Sequence, residues 1–296
     1  MRELNGIVVV NKEKGYTSHD VVNVIRRILG TRKVGHTGTL DPNAEGVLPV
    51  CVGKSTKVSD MLMFSDKEYV AEVKLGITTD TYDIWGNILS EKKADISESQ
   101  LKDAVSAFTG EIMQLPPMYS AIKQNGKKLY ELARSGVEVE RKPRKITVYE
   151  AEILSFEKDT FKIRVRCSKG TYIRSLCHDI GEHLGCGACM TSLVRTAASV
   201  FEIKNALTLS EIEEKVRAEG AQSVLQPPDA VFEGYDRIVV TSAVKERLLN
   251  GALSRVNNRP GTYRAYTADG GFVGITEVFE GEKGSVIKII KAFADR

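Results

Sequence analysis

Asp41 is a carboxylate that could do covalent chemistry if its surroundings hold it for that purpose. It lies in Gly35-His36-Thr37-Gly38-Thr39-Leu40-Asp41-Pro42-Asn43-Ala44-Glu45-Gly46-Val47-Leu48, where three glycines and a proline surround Asp41 and an apolar run follows. Glycine and proline at that density fix unusual backbone angles or allow close backbone approach. Asp-Pro alone is a turn start, so the dipeptide says little without its surroundings. A carboxylate can act as a nucleophile and divide one difficult step into two. It works ionised, and a nearby guanidinium favours that form while fixing its orientation.

Two other groupings lead elsewhere. Gly53-Lys54-Ser55 looks like the end of a phosphate-binding loop, but position 48 is Leu where the first glycine is required, and Gly46 has the wrong spacing. Cys177, His178, His183, Cys186 and Cys189 include one C-x-x-C pair. Zinc needs two ligand pairs at hairpin spacing, whereas these residues fall largely on a helix pattern, so they are expected to be core cysteines. No cofactor motif and no metal site is expected.

Five separated pieces agree with one family. The first is the Asp41 stretch. The second is Lys67-Glu68-Tyr69, followed by Leu75-Gly76 and Thr79-Asp80-Thr81-Tyr82-Asp83 with Gly86. The third is Pro116-Pro117-Met118-Tyr119-Ser120-Ala121-Ile122-Lys123, continuing through Tyr130 and Arg134. The fourth is Lys169-Gly170-Thr171-Tyr172-Ile173-Arg174-Ser175-Leu176, and the fifth Leu193-Val194-Arg195-Thr196. In this order, across most of residues 6–201, they resemble the TruB family of tRNA pseudouridine synthases. The chain departs from the family pattern at Glu13, Val194 and Ser199, where Pro, Arg and Gly are usual; none of these does chemistry.

The resemblance implies an isomerase that converts the T-arm uridine at position 55 of tRNA to pseudouridine without cofactor or metal. The target base must be flipped out of the folded RNA to be reached. Asp41 is then the nucleophile and Arg174 its orienting partner. Tyr69 stacks on the flipped base and can take the final proton from C5. Tyr172 and Leu193 line the site, and His36 stabilises the flipped-out RNA. Attack at C1′, attack at C6 and a route through a glycal all employ the same carboxylate. Two rivals share these motifs: a non-catalytic RNA-folding or RNA-binding protein, and a guide-RNA-dependent synthase subunit that lacks the insertion beginning near Pro116.

The charge distribution fits an RNA partner. The net charge of +3 divides unevenly: residues 117–145 carry 8 Lys/Arg against 3 Asp/Glu, and residues 237–296 carry 10 against 6. Positive charge gathered into two segments is what a polyanion-binding surface requires. The first segment matches the family's RNA-clasping thumb, so Lys123, Lys127, Lys128, Arg141 and Lys142 are candidate RNA contacts. The second occupies the place of a PUA-type RNA-binding domain.

The elements that position these residues follow from periodicity. Ile7 to Val10 and Val47 to Val52 read as buried strands. Tyr69, Ala71, Val73 and Leu75 alternate as a half-buried strand, and Phe161 to Cys167 alternates with Lys162, Arg164 and Arg166, giving one basic strand face. Ser18 is expected to cap a helix through Leu29 that Gly30 closes, Ser97 one that ends at Gly110, and Thr171 to Leu184 forms a third. Strands and helices mix without strict alternation, so the expectation is an α+β pseudouridine synthase fold with a mixed central sheet. Residues 1–235 form the catalytic domain and 236–296 a small, mostly β, PUA-like domain with a short helix at Ser242 to Asn250 and strand-like pieces near Gly270-Gly271 and Val286 to Ile290. The opening Met1 to Gly6 has no signal-peptide plan, no run is long enough to span a membrane, and the five cysteines suit a reduced compartment. A cytoplasmic monomer needing no protein partner is expected.

Overall fold

The computed structural model describes residues 4–124, 126–282 and 284–294. Met1 to Glu3 of the opening segment and the last two positions of the expected 236–296 module lie outside them.

A nine-stranded sheet organises the first two-thirds of the chain. Its spatial order is Gly6–Lys12, Glu45–Val52, Ala188–Ala198, Lys67–Leu75, Thr160–Cys167, Arg144–Glu157 and Gly110–Gln114, with Val34–His36 and Phe201–Glu202 as short additions. The pairings are antiparallel except where Val194 and Arg195 run parallel to Glu45 and Gly46. The sheet is therefore mixed, and its one parallel contact joins the end of the Asp41 loop to the Arg195 strand.

Alternation explains what each face does. Val8 and Val10 point into a core with Val21, Ile25, Ala71 and Ile163, while Ile7 and Val9 point into a second core on the opposite face. This half of the sheet is covered on both sides, so its strands read as continuous apolar runs. The other half has one bare face. There Lys162 pairs with Glu72 at 3.4 Å, Arg166 with Glu150 at 2.9 Å, and Arg164 with Glu152. The basic strand face expected from Phe161 to Cys167 is thus neutralised by acidic residues on both neighbouring strands.

Helix ends follow capping chemistry, with three corrections to the expected boundaries. Thr17, not Ser18, caps Ser18–Leu29: it accepts from the Asp20 N–H while the Asp20 carboxylate accepts from the Thr17 N–H, and Gly30 closes the helix at φ 61°. Ser97 caps Glu98–Ala107, but that helix ends before Gly110, which opens a strand instead. The third helix is Ile173–His183, with Tyr172 at its N-cap position.

Beyond Pro227-Pro228 a second, five-stranded sheet forms, ordered Asp236–Val239, Gly261–Tyr266, Phe272–Gly281, Gly284–Ala292 and Ser254–Arg255, beside the helix Ser242–Leu249. The strand-like pieces expected around Gly270-Gly271 are Gly261–Tyr266 and Phe272–Gly281, which flank that dipeptide. Phe232, Ile275 and Phe293 share the second core with Ile7 and Val9, and Lys57 Nζ donates to the Ala292 carbonyl at 2.9 Å. The module is therefore seated on the first sheet through apolar contact. Among the described residues no helix is long and apolar enough to cross a membrane.

Candidate active site

The loop between Val34–His36 and Glu45–Val52 is fixed on both sides of Asp41. Ser18 Oγ donates to the Leu40 carbonyl at 3.2 Å and accepts from the Leu40 N–H at 2.9 Å. Lys12 Nζ donates to the Pro42 carbonyl at 3.1 Å and to the carbonyls of Tyr16 and Glu13 at 2.7 and 2.9 Å. The Gly15 N–H also reaches the Pro42 carbonyl, at 3.0 Å. Lys12 is fully buried, and burial pushes its pKa down to about 8, so at neutral pH it still mostly carries the proton that serves those acceptors. The sequence reading assigned Ser18 to a helix cap and gave Lys12 no role. Their partners lie across the fold, and no local pattern announces them.

The two ends of the loop converge on one strand. Arg195 Nε donates to the Val47 carbonyl at 2.7 Å and Nη2 to the Gly38 carbonyl at 3.3 Å. Gly46 sits at φ 103°, and a Cβ there would lie 2.2 Å from the Arg195 carbonyl oxygen. Only glycine permits both that backbone angle and that approach. Gly46→Ala is expected to cost about 3 kcal/mol, from strain plus displacement of the parallel strand pair. Denaturant unfolding checks it, and a loss below about 1 kcal/mol would show that the strands give way freely.

Arg174 meets Asp41 directly. Its Nε lies 2.9 Å from Asp41 Oδ2, with the Arg174 side chain 6% and the Asp41 side chain 42% exposed. One partner is buried and the other is partly open to solvent. The remaining guanidinium donors are also used. Nη1 donates to the Thr81 carbonyl at 3.0 Å and Nη2 to the Tyr119 carbonyl at 2.8 Å, while Nη1 is 3.7 Å from Asp83 Oδ2. Burial raises the pKa of Asp83, which its hydrogen bond from Thr81 Oγ1 and the guanidinium oppose. Gln114 holds the start of the Arg174 helix, accepting from the Tyr172 N–H at 2.8 Å and donating to the Tyr172 carbonyl at 3.0 Å. Arg174 thus draws together the second, third and fourth sequence pieces around the first.

Tyr69 and Leu193 are buried in the helix-covered core, Tyr69 opposite Arg195 and Leu193 opposite Ala71 across antiparallel strands. Burial raises the Tyr69 pKa, and the charge of the Arg195 guanidinium opposes this. Burial also raises the pKa of Tyr172, which senses both Asp41 and Arg174. His36 Nδ1 accepts from the Gly38 N–H at 3.3 Å, and burial lowers its pKa. An Nδ1 that accepts a backbone N–H carries no proton, which leaves the ring proton on Nε2.

The insertion candidates lie outside this constellation. Lys123, Lys127 and Lys142 are exposed. Lys128 Nζ is 3.2 Å from Tyr130 Oη, and Arg141 is turned inward, its Nη1 donating to the Pro116 carbonyl at 3.1 Å with the side chain 13% exposed. Among the described residues no three His, Cys, Asp or Glu side chains cluster so as to hold a metal ion. All five cysteines are free and buried.

Asp83, Gln114, Lys12 and Arg195 carried no role in the sequence reading. Arg195 had a readable signal: period two puts it on the same strand face as Leu193, a charge facing inward.

Family models match the chain over two adjoining stretches: TruB family pseudouridylate synthase (N terminal domain) over residues 26–173, and tRNA pseudouridylate synthase B C-terminal domain over 174–233. The tRNA pseudouridine synthase B of Alkaliphilus oremlandii is 50% identical over 84% of this chain and 82% of its own, and that of Clostridium acetobutylicum 44% identical over 97% and 100%. Among solved structures, a Cbf5-Nop10-Gar1 complex aligns at 28% identity with a TM-score of 0.74, covering 98% of this chain and 85% of that one. An H/ACA RNP bound to a substrate RNA containing 2′-deoxyuridine gives 26% and 0.73, over 98% and 86%. With the two family models together matching residues 26–233 and relatives of this identity over most of its length, the chain belongs to the TruB family of pseudouridylate synthases.

Proposed function

We propose that the chain is a tRNA pseudouridine synthase that isomerises the T-arm uridine at position 55. The observation that carries this reading is the 2.9 Å contact between Asp41, on a loop pinned from both sides, and the buried Arg174. The N1–C1′ bond of uridine breaks, a C5–C1′ bond forms, and the C5 proton is exchanged for one at N1. Asp41 attacks the flipped nucleotide. Arg174 aims it, with the Thr81 and Tyr119 carbonyls and Asp83 aiming Arg174 in turn. Tyr69 stacks on the base, Leu193 and Tyr172 wall the site, and neutral His36 supports the flipped-out RNA. Residues 1–235 form the catalytic unit and 236–296 an RNA-binding unit, in a cytoplasmic monomer that needs no guide.

The tRNA named in the curated relatives supports this substrate, at higher identity than the H/ACA RNP and the Cbf5-Nop10-Gar1 complex among the solved structures. The experiment is tritium release from 5-tritiated uridine in a bare tRNA transcript. Release stoichiometric with one uridine is expected. No release without added RNA or protein would overturn the reading.

The insertion supplies phosphate contacts through its exposed lysines, while Lys128 and Arg141 shape it from within. Replacing Lys123, Lys127 and Lys142 by Gln is expected to flatten the slope of log affinity against log salt by about 2–3 units, given roughly 0.7–0.9 per phosphate contact. Fluorescence titration of labelled tRNA across salt concentrations checks this, and an unchanged slope would exclude these lysines from the RNA surface.

A further inference from the structure

Arg195 is the most voluminous of the fully buried side chains among the described residues, at 1% exposure. Among those residues no carboxylate lies within 4.0 Å of it. Its donors go to the Val47 and Gly38 carbonyls, one on each side of Asp41. Its strand is the one place where the sheet turns parallel, pairing Arg195 with Gly46 on one side and with Tyr69 on the other. Burial and the field of this cation together hold Lys12, His36 and Lys67 below their usual pKa values.

A buried charge without a counterion is costly, and an apolar side chain of similar volume fills a core at lower cost. A guanidinium is required where divergent acceptors must be held in one plane by fixed donors. Here the acceptors are the two feet of the nucleophile loop, and Tyr69, the stacking ring, is the residue directly opposite Arg195 on the neighbouring strand. We infer that Arg195 is a positioning residue: it couples the Asp41 loop to Tyr69, so that the nucleophile and the ring that stacks on the base keep one fixed relation. Lys12 and Ser18 fix the height of Asp41 in its loop; Arg195 fixes the loop against Tyr69. The consequence falls on the rate of the chemical step and not on capture of the RNA.

This inference rests on the pseudouridine synthase reading, and its test separates the two. Single-turnover tritium release, tRNA affinity and thermal unfolding are measured for wild type, Arg195→Lys, Tyr69→Phe and the double variant. Arg195→Lys keeps the charge but cannot span both carbonyls in the plane beside Tyr69. It is expected to lower the rate about thirtyfold with affinity within about threefold. In the Tyr69→Phe background the same change is expected to cost less than about fivefold, the non-additivity of a contacting pair. Arg195→Met is expected to be slower than Arg195→Lys; should it fail to fold, the lysine cycle decides alone. Equal losses in both backgrounds, or a loss confined to affinity, would overturn the inference. Absence of release by the wild type would instead overturn the assigned activity.

Discussion

Asp41→Asn is expected to abolish tritium release, by at least about 10⁴-fold, while tRNA affinity stays within about threefold. The substitution keeps the shape of the side chain and removes its negative charge and nucleophilicity. The loop around it is held by backbone contacts of Leu40 and Pro42, which the change does not touch. Arg174 keeps its bonds to the Thr81 and Tyr119 carbonyls, so it stays in place facing a neutral amide. Single-turnover release and a binding titration on one preparation separate chemistry from capture. Equal losses in both would identify Asp41 as a binding residue and favour the non-catalytic rival.

Arg174→Met is expected to lower turnover by about a hundredfold or more and to destabilise the fold by about 3 kcal/mol. Two costs combine. Asp41 loses the charge-assisted contact that aims it, and a small misdirection of a nucleophile costs orders of magnitude in rate. The Thr81 and Tyr119 carbonyls lose their donor, and Asp83, 14% exposed, loses its cation. Arg174→Lys is expected to fall between, because an ammonium lacks the planar fork that serves four partners. Single-turnover rates and urea unfolding check both parts. A variant that loses activity at unchanged stability would show that the carbonyl contacts are dispensable.

The legible parts of the sequence were those whose signal is local. Period two located the Tyr69 strand, and the glycine and proline spacing located the Asp41 loop. Capping chemistry located the helices that begin near Ser18, Ser97 and Thr171 to within about three residues, missed Leu209–Glu219 behind its Thr208 cap, and missed Thr17 because Ser18 beside it is also a good cap. That near-miss had a cause: Ser18 is free of the cap because it binds both backbone groups of Leu40. The strand order and its single parallel pairing were not legible, since pairing across the chain leaves no periodic trace. Lys12 was hidden in the same way, as a charge at the end of an apolar strand whose acceptors come from two loops. The basic alternation of Lys162, Arg164 and Arg166 was read correctly but lacked its context, which Glu72, Glu150 and Glu152 supply from neighbouring strands. Arg141, counted with the insertion's positive charge, also serves the Pro116 carbonyl, a contact that its sequence neighbours do not announce.

The measurement closest to the central claim is a position-resolved map of pseudouridine in one unmodified tRNA transcript, incubated with the purified chain alone. The account predicts conversion of the T-arm uridine at position 55 by the wild type and none by Asp41→Asn. Conversion by Asp41→Asn, or conversion by the wild type only when a guide RNA is supplied, would contradict it.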